Sequence, residues 1–237
     1  MPPATPGDPD SVAEVDAAVP VAPPRPPPGT RSRDEGSEGL DLNAIAQARL
    51  RESAIRNTAA AEHFEAGRYE EAIPLFEQAL ATCRSTLGGD HPDTLMVAGN
   101  LGVAQVAAGQ RRKGLKLIAS NLASRVRVLG EDHPDTLTAR NALAMAHRVS
   151  GDADTAISLS KQVVLQRSRT LGPTHLDTLS SRMGLALALA AAGNVIAAHR
   201  MLASTINDAE ETLGPDDAFT VALIECGETN GLLRREV

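Results

Sequence analysis

From residue 42 onward, apolar side chains recur at intervals of three and four. Between residues 90 and 130, Leu95, Ala98, Leu101, Gly102, Gln105 and Ala108 trace one stripe. Leu115, Leu117, Ile118, Leu122 and Val126 trace a second. This spacing places side chains on one face of a helix, so the stretch predicts two helices, the second over about 111–129. Gly109 separates the stripes and Gly130 follows the second, where a helix C-terminus favours the left-handed conformation open to glycine. Ahead of the first stripe, Asp90 is read as the helix cap, Pro92 as a first-turn residue and Asp93 as a carboxylate at the positive helix end.

The same punctuation returns every 42 residues. Leu-Gly pairs stand at Leu87-Gly88, Leu129-Gly130, Leu171-Gly172 and Leu213-Gly214. A second glycine series is Gly67, Gly109, Gly151 and Gly193, followed five residues later by Ala72, Gly114, Ala156 and Ala198. The capping pattern recurs at Asp132, Pro134 and Asp135, and more loosely at Thr174 and Asp177. Three series sharing one period of this length mark a solenoid of stacked helix pairs. Gly102, Ala144 and Ala186 in the first helices are expected to face Gly114, Ala156 and Ala198 in the second. A larger side chain there would force the pair apart at about 1–3 kcal/mol. A last helix is predicted over about 216–233, burying Phe219, Leu223 and Ile224.

Residues 1–40 break the pattern. They hold ten of the fifteen prolines and no apolar periodicity, and are read as a disordered acidic tail with a stiff polyproline stretch at 23–28. Residues 1–41 carry eight carboxylates against three arginines, a net −5 out of the chain's −7. The remainder, read as one solenoid over 41–237, is nearly neutral, which argues against nucleic acid as a partner. Aromatic residues are 2% of the chain, so the core must be aliphatic, which favours helices over strands. No apolar run reaches the ~18 residues of a membrane span, and no basic-then-apolar leader opens the chain. Cys83 and Cys226 provide no disulfide framework, and a reducing, cytoplasmic setting is expected. Abundant Ala, Gly, Pro and Arg with only three lysines suggests a GC-rich bacterial genome.

The segments Leu87-Gly-Gly-Asp-His-Pro-Asp-Thr-Leu95, Leu129-Gly-Glu-Asp-His-Pro-Asp-Thr-Leu137 and, more loosely, Leu171-Gly-Pro-Thr-His-Leu-Asp-Thr-Leu179 resemble tetratricopeptide repeats of the 42-residue kinesin-light-chain type. Gly67-Arg-Tyr-Glu-Glu-Ala72 is similar to the family's turn between the two helices. The resemblance covers about residues 52–231. It implies an all-α, right-handed superhelical solenoid of antiparallel helix pairs, with four repeats and a C-terminal capping helix. Repeat 1 lacks the Leu-Gly start, with Ile45 and Ala46 in its place, and reads as an N-terminal cap. Pro74 falls early in the second helix of that repeat, where its lost N–H costs little.

In the family, the first helices of successive repeats line a concave groove that takes extended peptides or helices. Carried over residue by residue, the resemblance assigns Asn57, Ala61 and Phe64 from repeat 1, and Met96, Gly99, Asn100, Val103 and Val106 from repeat 2. Repeat 3 gives Thr138, Asn141, Met145, Arg148 and Val149, and repeat 4 gives Ser180, Met183, Gly184, Leu187 and Ala191. The family's paired asparagines are half present, as Gly99-Asn100, Asn141-Ala142 and Met183-Gly184. Methionines on the floor suit adaptable apolar partners, the asparagines a partner backbone, and Arg148 a carboxylate. The basic carboxylate clamp of some tetratricopeptide domains is not expected, since Arg148 is the one basic residue among these positions.

Other chemistry is absorbed by the repeat. His91, His133 and His175 stand 42 apart at helix starts, too far from one another to share a metal ion. His63, His147 and His199 are read as packing residues, and no catalytic set or phosphate loop is picked out. Arg111, Arg112, Lys113 and Lys116, extended by Arg125 and Arg127, form a basic patch read as a solvated helix face. The expected function is a non-enzymatic scaffold or adaptor binding a protein or peptide, with no cofactor, metal, nucleic acid or membrane. A regulatory peptide-sensing subunit held off by its own tail, or a subunit that self-associates as a homodimer, are the alternatives.

Overall fold

The computed structural model describes residues 42–233. Among these it contains nine helices and no strand: α1 (Leu42–Glu65), α2 (Tyr69–Leu87), α3 (Pro92–Ala107), α4 (Arg111–Leu129), α5 (Pro134–Val149), α6 (Ala153–Thr170), α7 (Leu176–Ala191), α8 (Val195–Leu213) and α9 (Ala218–Thr229). Each helix packs against its neighbours in sequence, and α1, α3, α5 and α7 also touch in succession. The result is an all-α repeat solenoid of four helix pairs closed by one further helix. The tail expected over residues 1–40 lies outside the described residues.

Both glycine series adopt positive φ, from +71° at Gly67 to +101° at Gly214. Side-chain-bearing residues avoid that region, so one series turns the chain within a pair and the other between pairs. Where pairs close, the small residues touch as expected: a Cβ on Gly114 would stand 2.5 Å from the Gly102 carbonyl oxygen. In the other repeats Ala72, Ala156 and Ala198 occupy that place, fully buried.

The helix starts differ from the expectation. The cap is His91, not Asp90: its Nδ1 accepts the Asp93 N–H at 3.2 Å. His133 and His175 do the same for the Asp135 and Asp177 N–H groups, each at 3.1 Å. At the fourth copy of the position Asp217 caps α9 through the Phe219 N–H at 2.9 Å. The ring nitrogen reaches the helix start because the preceding backbone is extended at each cap, as at His133 (φ −66°, ψ 138°). Asp90 instead pairs with Arg127, and Asp132 accepts from Gln166. The three histidines are thus committed to their own helices.

Two other local readings shift. With no Leu-Gly start or proline to stop it, α1 runs about two turns further toward the N-terminus than its counterparts. In α4 only Ile118 of the predicted apolar stripe is fully buried, while Leu115, Leu117, Leu122 and Val126 are half-buried. Asn121 is buried there too, with Nδ2 donating to the Leu95 carbonyl and Oδ1 accepting from Arg125 Nε at 2.9 Å. Pro74 is the sixth residue of α2, on its exposed side.

The core is aliphatic and comes as two clusters. One joins α1 to α5 through Phe76, Leu80, Leu101, Ile118 and Leu143. The other joins α7 to α9 through Leu179, Leu185, Leu202 and Leu223. Between them α6 packs Leu159 on the first and Ile157 and Val164 on the second, and also contributes polar groups. Arg167, 5% exposed, donates to the Asp177 carbonyl at 3.0 Å, to Ser181 Oγ at 2.9 Å and to Thr138 Oγ1 at 2.9 Å. One guanidinium therefore ties α5, α6 and α7 together. Burial pushes it below its ordinary pKa and Asp177 pushes it back.

Candidate functional site

The candidate positions on α5 and α7 converge. Where these two helices meet α6, a recess of about 70 Å³ opens on the inner side of the stack. Asn141, Met145 and Arg148 of α5 line one side, and Ser180, Met183, Gly184 and Leu187 of α7 line the other. All seven are positions that the sequence assigns to the groove. Their spacing explains the convergence. Within each helix they recur at steps of three and four, with Met183 and Gly184 side by side, and between the helices the register is the 42-residue repeat, so they form one continuous strip.

The candidates of repeats 1 and 2 lie elsewhere. Asn57 is 2% exposed, and its Oδ1 accepts from Asn100 Nδ2 at 3.5 Å. Val103 and Val106 belong to the larger core cluster, with Met96 packed against it. Asn100 and Met96 keep part of their surface open. Phe64 is buried and stacks at a tilt on Tyr69, with centroids 5.3 Å apart. Thr138 is exposed and accepts from Arg167, and Ala191 is exposed at the end of α7.

Three residues of the recess were not among the candidates: Ala144, Ala188 and Ser160. Ser160 is the informative one. It stands on α6 at the position occupied by Phe76, Ile118 and Leu202 in the other repeats, and those three rank among the largest fully buried side chains. The recess opens because repeat 3 carries a hydroxymethyl where its neighbours carry a core side chain. Gly184, with no Cβ, widens it from α7; an added Cβ there would meet only Asn141 Oδ1, at 3.7 Å. The signal was legible in the period, since aligning the outer helices at 42 residues singles out Ser160.

The basic patch is smaller than its sequence outline. Arg111, Arg112, Lys113 and Lys116 are exposed on the first turns of α4. Arg127 is taken by Asp90 within repeat 2, and Arg125 lies 3.4 Å from the Asp135 carboxylate and so ties repeat 2 to repeat 3. Of the remaining histidines, His63 accepts from Arg68 Nε at 3.0 Å and His147 stands 3.0 Å from Asp152, each bracing the turn after its helix. His199 is exposed on α8. Cys83 is buried beside Ser53, burial pushes its thiol up, and no disulfide forms. An up-shifted thiol stays protonated and unreactive at neutral pH.

A tetratricopeptide repeat profile matches residues 51–113 and 138–211, more than half of the chain, and a second tetratricopeptide profile matches residues 94–135. The chain belongs to the tetratricopeptide repeat family. Two solved structures resemble it over most of its length. Both are of nearly identical TPR-like repeats of a candidate kinesin light chain from Podosopora anserina, one of them a point variant. Each has 26% sequence identity and a TM-score of 0.61, covering 81% of this chain and 90% of the other. Among curated proteins no significant match is found. Tetratricopeptide scaffolds of this kind typically mediate protein–protein interaction. Among the described residues, no helix is long and apolar enough to cross a membrane.

Proposed function

We propose that this tetratricopeptide solenoid is a non-enzymatic adaptor, with residues 41–237 as its binding domain, that takes an extended protein segment along its inner helices. The observation that carries the reading is the convergence of Asn141, Met145, Arg148, Met183 and Leu187 around one recess between α5 and α7. Half-buried methionine beside asparagine suits a segment that presents side chains to an apolar wall and its backbone to amide groups. Asn57, Met96, Asn100 and Val103 contribute the shape of the groove's first half rather than its contacts. The reading includes a cytoplasmic setting, which the two unbridged cysteines favour.

The test is the double variant Asn141→Ala/Met145→Ala in the full chain. The expected outcome is loss of partner capture with the far-ultraviolet helix signal unchanged. Capture at the wild-type level refutes the groove as the binding surface.

A further inference from the structure

The recess has a feature that repeat packing does not require. At the outer-helix position facing the inner pair, repeats 1, 2 and 4 carry Phe76, Ile118 and Leu202, each no more than 1% exposed. The matching inner residues are Ala60, Gly102 and Ala186. Repeat 3 has Ala144 on its inner helix, as repeats 1 and 4 have alanine, so a bulky partner would fit there as it does in them. It has Ser160 instead, 2% exposed, with its hydroxyl in the lining of the recess and unpartnered among the described residues. The walls are thioether and aliphatic, from Met145, Met183 and Leu187. The slot is thus narrow, apolar along its sides and polar at its base. Beyond their first turns, α3, α5 and α7 contain no carboxylate, whereas Arg148 stands in the lining.

We infer that this slot is a specificity pocket for a single unbranched side chain with a hydrogen-bonding end, glutamine being the type case, presented by a neutral or acidic extended peptide. The inference rests on the groove reading above and names what the groove selects. The stem of such a side chain runs between the methionines, and its amide meets the Ser160 hydroxyl, which can both donate and accept. A purely apolar side chain of the same length would cover that hydroxyl without bonding it, which is how a polar-based pocket discriminates. A volume of about 70 Å³ admits one side chain and is well below that of a cofactor pocket, which needs roughly 300 Å³ or more. Lysine and arginine carry the wrong charge for a recess whose lining includes the Arg148 guanidinium and no carboxylate.

The test selects short random linear peptides by display on the full-length chain. The enriched peptide is then synthesised and titrated by fluorescence polarisation against wild type, Ser160→Leu and Ser160→Ala. The expected peptide has one fixed glutamine. Its affinity falls by about tenfold or more on Ser160→Leu, which fills the slot, and by less on Ser160→Ala, which keeps the space and removes the hydroxyl. Replacing that glutamine by alanine in the peptide reproduces the Ser160→Leu loss. The thermal midpoint of Ser160→Leu, expected at or above that of wild type, separates slot filling from unfolding. Peptides that bind Ser160→Leu as tightly as wild type but lose affinity on Asn141→Ala/Met145→Ala overturn the slot and leave the groove reading standing. A fixed leucine or isoleucine overturns the polar-ended assignment. A library that yields no binder, or binders indifferent to every one of these variants, overturns the groove reading itself.

Discussion

Histidine and aspartate fill the same role at equivalent residues of this solenoid. His133 begins α5 with a ring nitrogen, and Asp217 begins α9 with a carboxylate oxygen, each accepting the N–H two residues on. Replacing His133 by alanine removes that acceptor, and denaturant titration should report a loss of about 1 kcal/mol. His133→Asp should restore it, because α9 already uses that chemistry. In the sequence, Asp132 looked the better cap, since a carboxylate is the commoner capping group. Only the backbone shows that the histidine sits one residue nearer the helix. Asp152 is a second residue whose role is local. The Thr155 side chain, then its backbone N–H, and more weakly His147, hold its carboxyl below the ordinary value. A folded-state pKa below the unfolded one gives a contribution that is present above the unfolded value and is lost as pH falls through the folded one. Urea titrations of wild type and Asp152→Asn should therefore differ near neutrality and converge as the pH falls below the usual aspartate range.

At the scale of helices, the joints between repeats are built from side chains that apolar patterning does not pick out. Arg125 and Arg167 are 42 residues apart, and each runs from an outer helix to the start of the next inner one. At the corresponding place before them stands Cys83, with the Asp93 charge nearby and Ser53 bonded to its sulfur. The first joint is thus packed and the next two are bonded. Truncating Arg167 to alanine removes a charged donor from the Asp177 carbonyl and the buried Ser181 hydroxyl, and unties α6 from Thr138, and should cost about 1.5–3 kcal/mol in chemical denaturation. Arg167→Lys should not recover the loss, because a single ammonium cannot reach α5 and α7 together as the guanidinium fork does. The extent of the helices was legible from the glycine and proline punctuation, and α4 spans the predicted residues. The burial pattern was less so. In a stack, each inner helix is covered on several sides, so Val103 and Val106 point into the core although their spacing also fits an open wall.

Across the whole molecule, the aliphatic core divides at repeat 3. Leu143 and Ala146 close the first cluster and Leu179 and Met183 open the second, and α6 links them, with Leu159 packed on the first, Ile157 and Val164 on the second, and Arg167 bonded to α5 and α7. In a solenoid, stability is a sum of repeat and nearest-neighbour contributions, so a weak joint shows as a step in local opening. Native-state hydrogen exchange should find α1–α5 and α7–α9 opening as separate units, with the step between them at α6. Uniform exchange across all nine would contradict the divided core. The last repeat also shows how the stack is ended. Ala60, Gly102, Ala144 and Ala186 let an outer helix come close, and the next position in that series is Glu228. A glutamate there opposes the approach of a further outer helix, and Leu232 and Leu233 of the following segment fold back onto the second cluster instead.

The period, the helix pairs, the glycine turns between them and their close approaches were determined by the sequence alone, while the caps and the ends of α1 and α9 were not. Each rests on local chemistry: glycine where φ must be positive, small side chains where backbones meet, and apolar residues every three or four positions. The tertiary structure alone decided which of the inner-helix positions remain open. That depends on what covers each helix from its neighbours: Val103 is closed over, Asn57 is buried against Asn100, and Met145 and Met183 border a space. Ser160 belongs to both accounts, because its departure from the repeat is written in the chain, but the recess it leaves exists only where α5, α6 and α7 enclose it.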